Sequence, residues 1–180
     1  MQIGLLCLLF QTIFATVMAE DLNIDKSQGK LEKYRQLRPQ IEALITGESD
    51  PLANASNLCA ALHEAFDFLW TGIYRVVDGE LVLGPFQGPV GCTRIKKGKG
   101  VCGTAWEENR AIVVEDVDSF PGHIACSSMS KSEIVLAIRN ASGDVTGVLD
   151  IDSDTLKAFD QSDAHELEKI IALIEPFEGL

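Results

Sequence analysis

The chain has 180 residues, 46% apolar and 23% charged, with a formal charge of −12. That length suits one domain with a real hydrophobic core, and the composition excludes low-complexity and fibrous classes. An acidic balance argues against nucleic acid or an anionic membrane as partner, because phosphate contact needs clustered Lys and Arg.

In chain order, Ile3 to Val17 is apolar except for Gln11, Thr12 and Thr16, and polarity switches at Glu20-Asp21. This run is too short to span a bilayer comfortably but suits the apolar region of a signal peptide, with Val17-Met18-Ala19 at the cleavage position. Met1-Gln2, however, lacks a positive side chain. Residues 1–19 are read as a signal peptide or another N-terminal extension, and no membrane is expected for the mature domain. Two glycosylation sequons, at Asn54 and Asn140, matter only in a secretory compartment.

Leu31, Tyr34, Leu37, Ile41, Leu44 and Ile45 keep helical spacing up to Gly47. A second helix is predicted from Asp50-Pro51, with Leu58, Cys59, Leu62 and Phe66 on its inner face. His63 and His165 fall on predicted helices and are read as surface residues. Trp70 to Val77 reads as a strand, Asp78-Gly79 as a two-residue hairpin turn and Glu80 to Leu83 as the returning strand. Gly84 to Gly100 holds five Gly and two Pro and reads as loop, with a short strand at Thr93 to Ile95. A short helix over Val101 to Asn109 and a strand over Ala111 to Val114 follow. Glu115 to Glu133 lacks periodicity, which in a compact domain points to a functional or mobile loop. Ile134 to Arg139 and Val145 to Ile151 are further strands, and a last helix begins near Asp160, burying Leu167, Ile170, Ile171 and Ile174. The pattern is that of an α+β domain over residues 30–180.

Chemistry concentrates in three cysteines: Cys92 in GPVGCTRI, Cys102 in GKGVCGTA and Cys126 in FPGHIACSSMSKSEIV. Each reads as loop or helix start rather than core, where a thiol can react. The basic stretch Arg94-Ile95-Lys96-Lys97-Gly98-Lys99 lies between two of them, either lowering thiolate pKa values or as a plain solvated loop. Taken on residues alone, a structural disulfide plus one inert thiol is an alternative. So is a zinc site of Cys92, Cys102, Cys126 and His123, although gaps of 9 and 23 residues lack the paired short spacing of zinc modules. Strand alternation sends Asp150 and Asp152 of GVLDIDS to one face, a polar pocket or a solvated surface, and Leu149 and Ile151 to the other. Trp70 and Tyr74 share a strand face, as an aromatic wall or as core. Glu133 alone is uninformative.

Together with LVLGPFQGPVGCTRI and GVLDIDS, these motifs resemble the free methionine-(R)-sulfoxide reductases. The resemblance runs from Lys30 to the C-terminus. It implies a single GAF domain with a six-stranded antiparallel sheet flanked by helices, acting on free methionine (R)-sulfoxide. It also implies thiol chemistry without metal or organic cofactor, a homodimer, thioredoxin as reductant and a cytoplasmic setting. Carried over, Cys126 matches the attacking cysteine, Cys92 its resolving partner in a redox disulfide, and Cys102 the third, alternate redox cysteine. Glu133, Asp150 and Asp152 match the acidic residues of the substrate pocket, with Glu133 and Asp152 as proton donors, and Trp70 and Tyr74 match its aromatic wall. Ser127 and Ala137 depart from the family pattern, where an acidic residue and a proline are common. The rival readings are a GAF small-molecule sensor without catalysis and a secreted, disulfide-stabilised binding domain.

Overall fold

Six antiparallel strands in the order β3-β2-β1-β6-β5-β4 form the sheet on which every other element rests. They are β1 (Trp70–Val77), β2 (Glu80–Gln87), β3 (Arg94–Lys96), β4 (Ile112–Val114), β5 (Ser132–Arg139) and β6 (Val145–Ser153). Four helices complete the domain: α1 (Lys30–Ile45), α2 (Pro51–Phe66), α3 (Gly100–Glu108) and α4 (Gln161–Ile171). The computed structural model describes residues 21–124, 126–174 and 176–177. The N-terminal segment 1–19 lies outside them. Among the described residues no helix is long and apolar enough to cross a membrane.

Period-two alternation divides the sheet into two faces. One face packs Ile73, Ile134, Leu136, Leu149 and Ile151 against Tyr34, Leu37, Leu58, Leu62 and Leu167 of α1, α2 and α4. Each such fully buried aliphatic side chain stabilises by roughly 1.5–3 kcal/mol. The opposite face carries Trp70, Tyr74, Val135 and Val148 under Val101, Ala105 and Trp106. Among the described residues, the short α3 and two loops cover this second face, which leaves room for a cavity.

The predicted elements appear with shifted ends. Asp78 and Gly79 take φ of +50° and +79°, the left-handed pair that a tight two-residue hairpin requires. β2 continues to Gln87 instead of stopping at Leu83, because Thr71↔Gln87 and Gly72↔Phe86 pairing with β1 extends it. Its other edge pairs with β3 only over Glu80–Val82, so Pro85 sits where no ladder donor is demanded. His63 is half-buried rather than on the surface, whereas His165 is exposed. Asn54 is 3% exposed and donates to the Glu48 carbonyl at 3.0 Å, so the folded domain offers no glycan site there.

Two local devices fix the frame. Asp160 caps α4 by accepting from Ser162 N–H at 2.7 Å, while Asp163 returns the favour to Asp160 N–H at 2.7 Å, a capping box. Lys30 at the start of α1 reaches Asp160 at 2.5 Å and Asp163 at 2.6 Å, tying the first helix to the last. On the other face, Trp70 lies flat across Gly72: a Cβ there would fall 2.2 Å from Trp70 Cη2 and 2.6 Å from Phe86 Cβ. Glycine is therefore the space in which the indole rests, stacked on Phe86 at 5.6 Å and on Tyr74 at 5.8 Å.

Two outcomes are expected. Asp160→Ala removes the cap at a cost of about 1 kcal/mol, lowering the melting temperature by roughly 2–4 °C at neutral pH. Lys30 and Ser162 hold the Asp160 carboxyl below the usual aspartate range. Its charge contribution is therefore complete above that range and fades as pH falls through the lowered native value. Melting curves of wild type and Asp160→Asn, which keeps a capping side chain, should converge in acid and separate near neutrality. Gly72→Ala should cost about 1–3 kcal/mol through overpacking and change tryptophan fluorescence as the indole is displaced.

Candidate active site

Strand register, rather than proximity in sequence, assembles the acidic residues. Trp70 of β1 stands opposite Asp152 of β6, and Asp152 stands opposite Glu133 of β5, forming one row across three strands. The adjacent row is Gly72, Asp150 and Val135. The absence of a side chain at Gly72 lets the Trp70 indole lie across the sheet in this row. Leu149 and Ile151 point into the opposite core, as the alternation predicts.

Trp70, Tyr74, Glu133, Asp150 and Asp152 line a cavity of about 40 Å³, closed by Cys102 on α3 and by His123, Ile124, Cys126 and Ser130 from the β4–β5 loop. That is room for about three water molecules. The loop that lacks periodicity is thus the pocket's lid, with one 3-10 turn at Val117–Ser119 as its regular structure. Trp70 is held by donation from its indole N–H to the Pro89 carbonyl at 3.0 Å. Trp70 and Tyr74 are both core and wall: 5% and 1% exposed, they still border the cavity.

Burial dominates the electrostatics. Glu133 and Asp150 are 5% and 7% exposed. Burial pushes both carboxyls well above the usual range; the Asp152 charge adds to this for Glu133, and the charges of Glu133 and Asp152 add to it for Asp150. Burial also raises Asp152, opposed by a short hydrogen bond donated by Ser130 Oγ and by the nearby His123. His123 Nε2 lies 3.5 Å from Glu133 Oε2. The cluster retains protons at pH values where isolated carboxylates have lost them, as close like charges in a desolvated site require.

Cys92 and Cys126 form a disulfide with Cα atoms 5.6 Å apart, closing the segment that contains the basic stretch, α3 and β4. Cys126 is exposed at the cavity mouth and Cys92 is half-buried. The two cysteines that the family resemblance pairs are therefore bonded, and the zinc set of Cys92, Cys102, Cys126 and His123 loses two ligands to that bond.

Cys102 corrects the expectation of three open thiols. It is 4% exposed, in the first turn of α3, and its thiol is pushed well up by burial and then by the charges of Asp150 and Glu133. The basic stretch does not lower it. Lys96, Lys97 and Lys99 are exposed; Lys97 Nζ lies 5.2 Å over the Trp106 ring, and Arg94 pairs with Glu80 at 3.1 Å. Cys59 is core, as predicted, with its thiol raised to about 12 by burial. Ser127, at one family departure, accepts from Met129 N–H at 3.2 Å; Ala137, at the other, is buried within β5 opposite Val148.

Sequence reasoning missed Ser130, Gly72 and the proximity of His123 to Glu133. Ser130 carried only the faint signal of a hydroxyl just before an acidic strand. Gly72 was visible as a strand-interior glycine, which marks a close approach.

A GAF domain family model matches residues 50–175. GAF domain-containing protein A of Dictyostelium discoideum is 55% identical, over 88% of this chain and 99% of that protein. Free methionine-R-sulfoxide reductase of Escherichia coli is 44% identical, over 81% of this chain and 88% of that protein. The X-ray structure of free methionine-R-sulfoxide reductase from Neisseria meningitidis in complex with its substrate is similar with a TM-score of 0.82 and 46% identity, covering 85% of this chain and 92% of that one. The chain, a GAF domain of mixed α+β architecture, belongs to the free methionine-R-sulfoxide reductase family.

Proposed function

We propose that this protein reduces free L-methionine (R)-S-oxide to methionine with cysteine thiols as the reductant. The observation that carries the reading is a disulfide, Cys92–Cys126, opening onto a cavity lined by three carboxyl groups, those of Glu133 and Asp150 buried and that of Asp152 half-buried. A sulfoxide sulfur is a poor electrophile until its oxygen is protonated or strongly hydrogen-bonded, so reduction needs a thiolate and an acid on one S–O group.

In the reduced protein the Cys126 thiolate attacks sulfur while Glu133 or Asp152 delivers a proton to oxygen. The protonated oxygen then passes to the Cys126 sulfur as the S–O bond and the transient S–S bond break, so methionine leaves and Cys126 becomes a sulfenic acid. The Cys92 thiol displaces that oxygen as water and closes the disulfide; Cys102 is the alternate resolver. A dithiol protein, thioredoxin, supplies two electrons by exchange and restores both thiols. Another carboxylate of the cluster receives the substrate ammonium, a group that peptide-bound methionine lacks. Trp70 and Tyr74 flank the methyl-sulfinyl group, sulfur against ring. A second copy of the chain is the proposed oligomeric partner. The cytoplasm, where thiols are kept reduced, is the proposed setting, and repair of oxidised methionine the role.

Each methionine sulfoxide epimer, offered with thioredoxin, thioredoxin reductase and NADPH, tests this. NADPH oxidation should follow the R epimer alone and disappear in Cys126→Ser. Glu133→Gln should lower kcat by about 10²–10⁴-fold, the range of a lost general acid. Absence of epimer-selective turnover sinks the enzyme and leaves a ligand-binding GAF domain; turnover surviving in Cys126→Ser sinks the assignment of the nucleophile. In reduced protein, iodoacetamide followed by peptide mass mapping should modify Cys126 and Cys92 first, and Cys59 only on unfolding.

A further inference from the structure

One cluster has chemistry that sulfoxide reduction does not exhaust. Cys102 Sγ, a carboxylate oxygen of Glu133 and one of Asp150 all lie within 4.8 Å of one another. They come from three elements, α3, β5 and β6, and all three side chains are buried. A tetrahedral Zn²⁺ with bonds of about 2.0–2.3 Å holds its ligands roughly 3.5 Å apart, so contraction of little over an ångström brings the three to coordination distance.

An independent observation points to a cation. Asp150 Oδ1 is buried without a hydrogen-bond partner, on a side chain that lines the cavity. An unmatched buried acceptor costs about 1–3 kcal/mol, and more when charged. A metal ion satisfies it and at once offsets the repulsion within the cluster. His123 Nε2, 3.5 Å from Glu133 Oε2, offers a fourth donor from the lid loop. One sulfur, two carboxylates and an imidazole suit a borderline-soft cation and disfavour Mg²⁺ or Ca²⁺, which take oxygen-only shells.

We infer that Cys102, Glu133 and Asp150, with His123 completing the shell, form a site for a thiophilic divalent cation such as Zn²⁺. The ion takes the place of substrate in the cavity and so acts as a reversible brake, a consequence that rests on the reductase reading; the binding itself does not. This ligand set differs from the Cys92, Cys102, Cys126 and His123 set considered from the sequence, because the disulfide takes Cys92 and Cys126 and two carboxylates stand in their place.

Co²⁺ reports the site directly, since thiolate ligation gives an ultraviolet charge-transfer band and tetrahedral geometry intensifies the visible bands. The titration uses the full chain with the Cys92–Cys126 disulfide closed and Cys7→Ser as background, leaving Cys102 and Cys59 as the remaining thiols. Expected is one cobalt per chain with a charge-transfer band, displaced by equimolar Zn²⁺. Cys102→Ser should abolish the band and Asp150→Asn should weaken binding at least tenfold, with circular dichroism verifying the fold of each. If Cys102→Ser does not fold, Glu133→Gln serves as the second variant, again with at least a tenfold loss. No band in the parent protein, or a band that survives in folded Cys102→Ser or is unweakened in both carboxyl variants, overturns the site. Because the oxidised protein turns nothing over, this result and the failure or success of the reductase assay are separable.

Discussion

Carboxyl groups on the inner face of a β-sheet are the constraint around which this domain is arranged. An ionised carboxylate removed from water is costly unless it is paired, hydrogen-bonded or protonated. β5 and β6 place Glu133, Asp150 and Asp152 together where an ordinary sheet would carry Val or Ile. Each answer to that cost is visible nearby. Ser130 donates to Asp152, His123 approaches Glu133, and burial itself keeps protons on the cluster. Proton-holding carboxyls beside a thiol are what sulfoxide chemistry calls for. The electrostatic cost and the proposed reactivity share one origin.

The two faces of the sheet divide stability from chemistry. The face under α1, α2 and α4 is continuous aliphatic and aromatic packing, clamped by Lys30 between the ends of the first and last helices. That rigidity allows the other face to be thinly covered. There, the lid loop is attached to the β2–β3 connection through Cys92–Cys126, so the redox state of one bond governs how the roof of the cavity is tethered. Reduction frees the Cys126 sulfur and releases the tether of its own loop in the same event. Re-oxidation reverses both. The proposed cycle, in which the pocket admits an amino acid and later presents a disulfide to a dithiol protein, gains from that coupling.

What was legible in the chain follows the range of the interactions involved. Asp78-Gly79, the start of the last helix near Asp160 and the opposed faces of Leu149 and Asp150 depend on residues a few positions apart, and local pattern exposed them. The pairing of Cys92 with Cys126 was not legible in spacing; it came with the resemblance of whole motifs. The alignment of Glu133 with Asp152 depends on cross-strand register, which no local pattern carries. Gly84-Pro85 suggested a loop, yet β2 continues through them because one of its edges has no strand to satisfy there. Cys102 misled for a similar reason. Its glycine-rich neighbourhood looked open, but Gly103 lets α3 sit against the β3 turn, where a Cβ would fall 2.4 Å from the Lys96 carbonyl oxygen. Glycine there marks close packing rather than mobility.

That packing gives the third thiol a different character from the other two. The exposed Cys126 can meet a solvent-borne oxidant or partner, whereas Cys102 is buried beside the carboxyls of Glu133 and Asp150. Burial and two acidic neighbours oppose its ionisation, so attack by Cys102 would require creating a thiolate beside carboxyl groups in a low-dielectric site. As a neutral thiol it costs nothing electrostatically and fills the floor of the cavity. Charge and exposure thus set the three cysteines apart: Cys126 is exposed, Cys92 is bonded to it, and Cys102 is buried with its thiol held up by burial and its acidic neighbours.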